Sequence, residues 1–240
     1  MSGAVVRKVL ILLLEGPSDM TALGGPLVDL LDTQGIECIP IVNRGDITTK
    51  AKISGVEIEP DYNNINTVVE DVVQVEMEPL FANEYSWVRG EDILGVVQIA
   101  DTDGAFSRDD ARKRNNLIML TKEGCKVEIK GKKIPYRIFY MAKNLEHVLY
   151  GEKEIDGSKT KRASEFARKC YGEEGFFEKV LCYPEINPKI SNQKLANDTR
   201  ARYKESWAEI QEGINSSGRK TNLNILIDDL CRETSKKELY

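Results

Sequence analysis

The sequence predicts an α/β fold: a largely parallel sheet with helices on both faces. Residues 9–14 form an unbroken apolar run, Val-Leu-Ile-Leu-Leu-Leu, that stops at Glu15-Gly16-Pro17-Ser18-Asp19. A second run over 93–100 stops at Asp101-Thr102-Asp103-Gly104. Continuous Val/Ile/Leu runs of this length, closed by turn residues, read as strands buried on both faces, as in a parallel sheet. Between the two runs the patterning alternates strand, helix, strand, helix, which is the rhythm of βαβ units.

Each element has its own reason. After Glu15-Gly16, Ser18 and Asp19 are helix-start residues, and Met20, Leu23, Leu27, Leu30 and Leu31 recur at helical spacing up to Gly35. Gly24-Gly25-Pro26 interrupts that pattern and predicts a kink or a late start. Residues 36–42 read as the second strand. Residues 46–62 read as short strands and loop. Over 65–81 the valines and Leu80 recur at helical spacing, against the usual preference of β-branched residues. Residues 125–130 and 134–141, split by Gly131-Lys132-Lys133, read as a hairpin. From 144 onward the pattern is helical, broken at Gly151, Gly157, Gly172, Gly175, Pro184 and Pro188, with a loose tail over 235–240.

Two buried strands thus deliver Glu15, Asp101 and Asp103 to one sheet edge. In open α/β sheets ligands bind at the carboxyl ends of the strands. Carboxylates gathered there repel one another unless a cation sits between them. Oxygen donors without a His or Cys cluster suit Mg²⁺ or Mn²⁺. Asp19, four positions after Glu15 across a strand–turn–helix junction, is placed to face the same cation, or else serves only as an acid at a helix start. Gly104 gives the chain the freedom to turn after Asp101 and Asp103.

These residues resemble the TOPRIM family, which includes topoisomerases, bacterial primases and OLD-like nucleases. Glu15-Gly16-Pro17-Ser18-Asp19 is similar to the first motif of its nucleases, and Asp101-Thr102-Asp103 to its Asp-x-Asp motif. Gly45, in Val42-Asn43-Arg44-Gly45-Asp46, is similar to its middle glycine. Lys143-Asn144-Leu145-Glu146-His147-Val148-Leu149 is similar to the later glutamate segment of OLD-like and phage-defence nucleases. The resemblance spans about residues 5–150. It implies a TOPRIM-like catalytic domain over 1–150, with an insertion at about 46–92, and a helical extension over 151–240. It implies a metal-dependent endonuclease acting on DNA or RNA. Glu15, Asp101, Asp103 and Glu146 would be catalytic, and with Asp19 they would hold Mg²⁺ or Mn²⁺. OLD-like nucleases also use a lysine after the glutamate segment; Lys159, Lys161 and Lys194 are the candidates, and the sequence does not choose among them. His147 reads as a neighbour of the site rather than a ligand, since hard cations rarely take imidazole.

Charge divides the chain. Residues 1–107 carry a net −12, residues 108–204 a net +9, and the whole 240-residue chain −5. An acidic half for the cation and a basic half for the phosphate backbone suit a protein that binds nucleic acid. Arg112, Lys113, Arg114, Lys132 and Lys133 are the expected nucleic-acid contacts; a solvated helix face is the plainer reading of any one of them. The five cysteines lack metal-type spacing and predict reduced thiols in a cytoplasmic protein. The run over 9–14 is too short to cross a membrane.

A Gly-x-x-x-x-Gly-Lys-Ser/Thr motif is lacking, so the ATPase joined to OLD-like nucleases would have to be a partner protein, as in some phage-defence systems. Two alternatives compete. Asp101-Thr102-Asp103-Gly104 also resembles the nucleophile motif of haloacid-dehalogenase-type phosphatases, with Asp228-Asp229 after Ile225-Leu226-Ile227 as their late acidic pair. Ala105 departs from that pattern, which also leaves Glu15-Gly16 without a role. A non-catalytic TOPRIM-like binding module is the other alternative.

Overall fold

The computed structural model of the chain describes residues 7–43, 45–106, 111–122, 124–151, 158–190, 198–214 and 218–232. Its centre is a five-stranded sheet in the order β2-β1-β5-β7-β6, formed by β1 (Lys8–Leu14), β2 (Ile36–Val42), β5 (Ile93–Asp101), β6 (Lys126–Ile129) and β7 (Lys132–Met141). Pairings β1–β2, β1–β5 and β5–β7 are parallel. Only β6, a short edge strand, is antiparallel. The sheet is mainly parallel and flanked by helices, compatible with a Rossmann-like arrangement, as the sequence predicts. Residues 9–14 of β1 and 93–100 of β5 are all buried, which is why both read as unbroken apolar runs.

The helix after β1 is continuous rather than broken. It opens as α1 (Pro17–Asp19), widens into a π-helical turn over Met20–Gly24, and continues as α2 (Gly25–Thr33). The Gly25 N–H donates to the Met20 carbonyl five residues back. Pro26 has no N–H to offer, and the wider turn absorbs that defect at the point where the sequence pattern is interrupted. A Cβ on Gly24 would stand 3.4 Å from Leu14 Cδ1 and 2.6 Å from Met20 Sδ. The glycine therefore lets the helix lie close over the end of β1.

Between β2 and β5 the segment 46–92 holds a two-stranded hairpin, β3 (Ala51–Ile53) and β4 (Val56–Ile58), and the helix α3 (Ile65–Ala82). The helix α2 packs against β2, whereas α3 packs against β6 and against α4 (Ala111–Leu120). The chain moves from β1 outward to β2, then back past β1 to β5. The order reverses between β1 and β5, and the crevice outside their carboxyl ends is the switch point where such sheets bind ligands.

The C-terminal helices complete the sheet. They are α5 (Leu145–Tyr150), α6 (Lys159–Gly172), α7 (Phe176–Leu181), α8 (Thr199–Gln211) and α9 (Leu223–Arg232). β6 pairs only with residues 132–135 of β7, and the rest of that edge is covered by side chains and one short segment. Tyr203 Oη and Trp207 Nε1 both donate to the Ile138 carbonyl, at 2.9 and 3.2 Å. Asn222 Oδ1 accepts from the Tyr140 N–H at 2.9 Å, and Thr221 Oγ1 donates to the Tyr140 carbonyl at 2.7 Å. The Ala142 N–H donates to Lys220 at 2.7 Å. An exposed row of edge groups is thus closed. Asp228 and Asp229 lie on α9, where Asp228 pairs with Arg202 at 2.6 Å and Asp229 accepts from Thr199 at 2.8 Å. They belong to a helix rather than to a strand end, and both are engaged with α8. Among the described residues no helix is long and apolar enough to cross a membrane.

Candidate active site

β1 and β5 are neighbours in register, Leu13 opposite Gln98, so Glu15 and Asp101 leave the sheet side by side. Two further strand ends join them. The Gly45 N–H donates to the Glu15 carbonyl at 3.0 Å, and the Asn43 N–H to the Leu14 carbonyl at 2.9 Å. These bonds tie the end of β2 to the end of β1. From β7, the Met141 carbonyl accepts from Thr102 N–H and the Lys143 carbonyl from Asp103 N–H, at 3.0 and 2.8 Å. The Thr102 hydroxyl accepts from Lys143 N–H at 2.9 Å in return. Asp103 and Lys143 are both held at positive φ, 48° and 70°, a conformation that costs a non-glycine residue roughly 1–2 kcal/mol. Backbone strain of this kind is concentrated at functional sites.

Burial holds the Glu15 carboxyl well above the usual carboxylate range, and the charges of Asp46 and Asp101 add to it. Burial does the same to Asp101, reinforced by Asp19 and Asp103. Asp19 accepts the Gly16 N–H at 2.8 Å. Its carboxyl is pushed up to about 6, by burial first; the Gly16 bond works against the shift and the Glu146 charge with it. Glu15 Oε1 is buried and has no hydrogen-bond partner among the described residues. Glu146 is buried at the start of α5. The Asn144 side chain caps that helix by accepting from His147 N–H at 2.8 Å, which fixes where Glu146 stands. Lys159 Nζ lies 3.4 Å from Glu146 Oε1.

All five predicted acids therefore lie in one electrostatic neighbourhood, and two residues the sequence reading did not place there join them. Asp46 follows Gly45 and accepts from Thr48 N–H at 2.8 Å and from Thr49 Oγ1 at 2.9 Å. Lys113 is 2 % exposed and puts its ammonium 2.6 Å from Asp103 Oδ2 and 2.8 Å from Asp46 Oδ2. Burial opposes its charge, but Asp46, Glu15 and Asp103 outweigh that and raise its pKa. Lys113 was expected on a nucleic-acid surface beside Arg112 and Arg114. The structure corrects this: it is an interior counter-charge of the acids. The signal was present in the helical phase, since Lys113 falls on the same face of α4 as buried Asn116, Leu117 and Leu120.

The remaining predicted cations do not share one face. Arg112 is exposed and pairs with Glu59 at 2.6 Å; Arg114 is half-buried on the same helix. Lys132 and Lys133 are exposed at the start of β7, at the sheet edge opposite the acids, so the five do not form a single basic surface. Of the candidate lysines, Lys159 reaches Glu146, Lys161 is exposed on α6, and Lys194 lies outside the described residues.

No three Asp, Glu, His or Cys side chains among the described residues stand close enough together to ligate a metal ion. The donor set is nevertheless all carboxylate, the chemistry of hard cations, and the unpartnered Glu15 Oε1 is an acceptor that needs a positive partner. No family model, no curated protein and no solved structure matches the chain.

Proposed function

We propose that the chain is a divalent-metal-dependent nuclease whose centre is the acid cluster at the β1–β5 switch point. One observation carries the reading: Glu15 and Asp101 end neighbouring strands in a buried crevice. Each is held toward its protonated form by burial and by other acids, and Glu15 Oε1 lacks a partner among the described residues. Such an arrangement is costly to keep for structure alone, and a hard cation relieves it.

Mg²⁺ or Mn²⁺ would be held by Glu15 and Asp101, with Asp19, Asp103 and Glu146 around them. When bound, the cation supplies charge to offset that of a phosphodiester and acidity for an attacking water. The chain's own groups do the rest. Without a cation, burial and the neighbouring acids hold Glu15 and Asp101 toward their protonated forms, and a bound cation would favour their charged forms. The single ammonium of Lys113 lies between Asp46 and Asp103 and offsets one unit of the cluster's negative charge, which leaves the rest for the ion to balance. Lys159, held at Glu146 but largely exposed, offers an ammonium to charge developing on the phosphate. Control by a partner ATPase is a separate proposal that rests on the resemblance alone. The phosphatase alternative is not favoured, because Asp228 and Asp229 are engaged with α8.

The test is cleavage of single- and double-stranded DNA and RNA with Mg²⁺, Mn²⁺ or no metal, with p-nitrophenyl phosphate in parallel. Metal-dependent cleavage that is lost in Glu15→Gln and Asp101→Asn, with both variants folded, is the expected result. Cleavage that persists in both variants would remove the acids from the reaction, and hydrolysis of the phosphate ester alone would favour a phosphatase.

A further inference from the structure

A cavity of about 280 Å³ opens between α5, α6 and α7, walled by Tyr150, Phe166, Phe176 and Tyr183 and rimmed by Arg162 and Lys169. Its rings pack edge to face, Tyr150 against Phe166 at 5.7 Å and Phe166 against Phe176 at 5.8 Å, so the cavity has an aromatic wall and a charged mouth. Two features connect it to the acids. Tyr150 lies four residues after Glu146, one turn or roughly 6 Å further along α5. On α6, Lys159, Arg162, Phe166 and Lys169 fall at spacings of three, four and three, so one stripe of the helix runs from Glu146 to the cavity rim. The stripe alternates cations with a ring, the composition that tracks a phosphate backbone while stacking its bases. The Tyr150 hydroxyl is buried and has no hydrogen-bond partner among the described residues, and Glu165 supplies an acceptor at the rim.

We infer that this cavity seats one unpaired nucleobase of the substrate strand next to the phosphate to be cut, with Arg162 and Lys169 on the flanking phosphates. The inference rests on the nuclease reading for its placement, not for the binding itself. The volume lies just under the roughly 300–1,000 Å³ of drug-sized sites, room for one base and not for a pair. A base reaches such a slot only from a single strand, a loop or a flipped-out position. The substrate class is therefore nucleic acid with an unpaired nucleotide at the cut.

The experiment is binding in EDTA, where no cleavage occurs, followed by fluorescence of a single-stranded oligonucleotide carrying 2-aminopurine. Adenosine monophosphate and an unlabelled single strand should compete, while ribose 5-phosphate and inorganic phosphate should not. The double variant Phe176→Ala, Tyr183→Ala should lose at least tenfold in affinity and lose the quenching. Lys169→Glu, an exposed position that leaves the rings intact, should lose several-fold and serves if the double variant does not fold. Equal competition by ribose 5-phosphate would reduce the site to a phosphate contact and overturn the base seat. So would unchanged affinity in the folded variants. Competition by adenosine monophosphate but not by the strand would mark a site for free nucleotides and overturn the placement. Binding that behaves as expected with no metal-dependent cleavage would sink the nuclease reading alone; cleavage with no base-dependent binding would sink the cavity alone.

Discussion

At the scale of single residues, the site is a balance between buried acids and one buried ammonium. Lys113→Met should destabilise the metal-free protein, because removing one partner of a buried pair leaves the other uncompensated. Such losses run to about 3–5 kcal/mol, and the lower end applies because Asp103 is half-exposed. Urea unfolding in EDTA measures it, and a loss below about 1 kcal/mol would place Lys113 outside the charge balance. The titrations have a definite sign. Asp19, Glu15 and Asp101 are all raised on folding, so their contribution to stability is full below the unfolded carboxylate range near pH 4 and is lost as pH rises; for Asp19 the loss runs through about 6. Metal-free melting temperature should fall over that window, Asp19→Asn should flatten the fall, and Mg²⁺ should oppose it above pH 6. A third expectation separates strain from charge at Asp103, where φ is +48°. Asp103→Gly and Asp103→Ala lose the same carboxylate, but the glycine variant should be more stable by about 1 kcal/mol; equal stabilities would show that the turn stores no strain. The acids were legible in the sequence because each sits where an apolar run stops. Lys113 was hidden by its neighbours, since Arg112-Lys113-Arg114 reads as one charge run until the helical phase of α4 sorts it.

At the scale of elements, the strands were legible and their edges were not. Burial on both faces writes itself into β1 and β5 as continuous apolar sequence. The covering of β7 is written in side chains about sixty to eighty residues away, at Tyr203, Trp207, Thr221 and Asn222, and no local period reports it. The π-helical turn at Met20–Gly24 was signalled only as a defect, because Gly24-Gly25-Pro26 marks a broken pattern without saying how the chain repairs it. Tyr203 and Trp207 share one acceptor, so their effects should not add. Either Tyr203→Phe or Trp207→Phe alone should cost about 1 kcal/mol or more. The double variant should cost more than the sum, because it leaves the Ile138 carbonyl buried without a partner. A double-mutant cycle in urea that comes out additive would mean the carbonyl finds another donor.

At the scale of the whole molecule, the sheet gathers its acids at the carboxyl ends of its strands. Lys132 and Lys133 stand at the edge away from the acids, whereas Arg162 and Lys169 lie on α6, the helix whose Lys159 reaches Glu146. If the chain binds nucleic acid as proposed, charge reversal of the first pair should leave the salt dependence of that binding unchanged, while reversal of the second should make it shallower by about two counterions' worth. Equal slopes in both variants would mean that the strand does not follow α6. The way β7 is covered has a further consequence, in time rather than space. Residues 132–141 leave the ribosome well before residues 199–222, which at about 5–20 residues per second is a delay of several seconds. Through that interval the central parallel strands can pair, but the far side of β7 presents free backbone groups beside Phe139 and Tyr140. Nascent chains of this protein, crowded on one message, are therefore exposed to strand-to-strand joining until residues 199–222 are made. Slowing translation after residue 141 should raise the insoluble fraction, and synonymous recoding that speeds residues 142–222 should lower it.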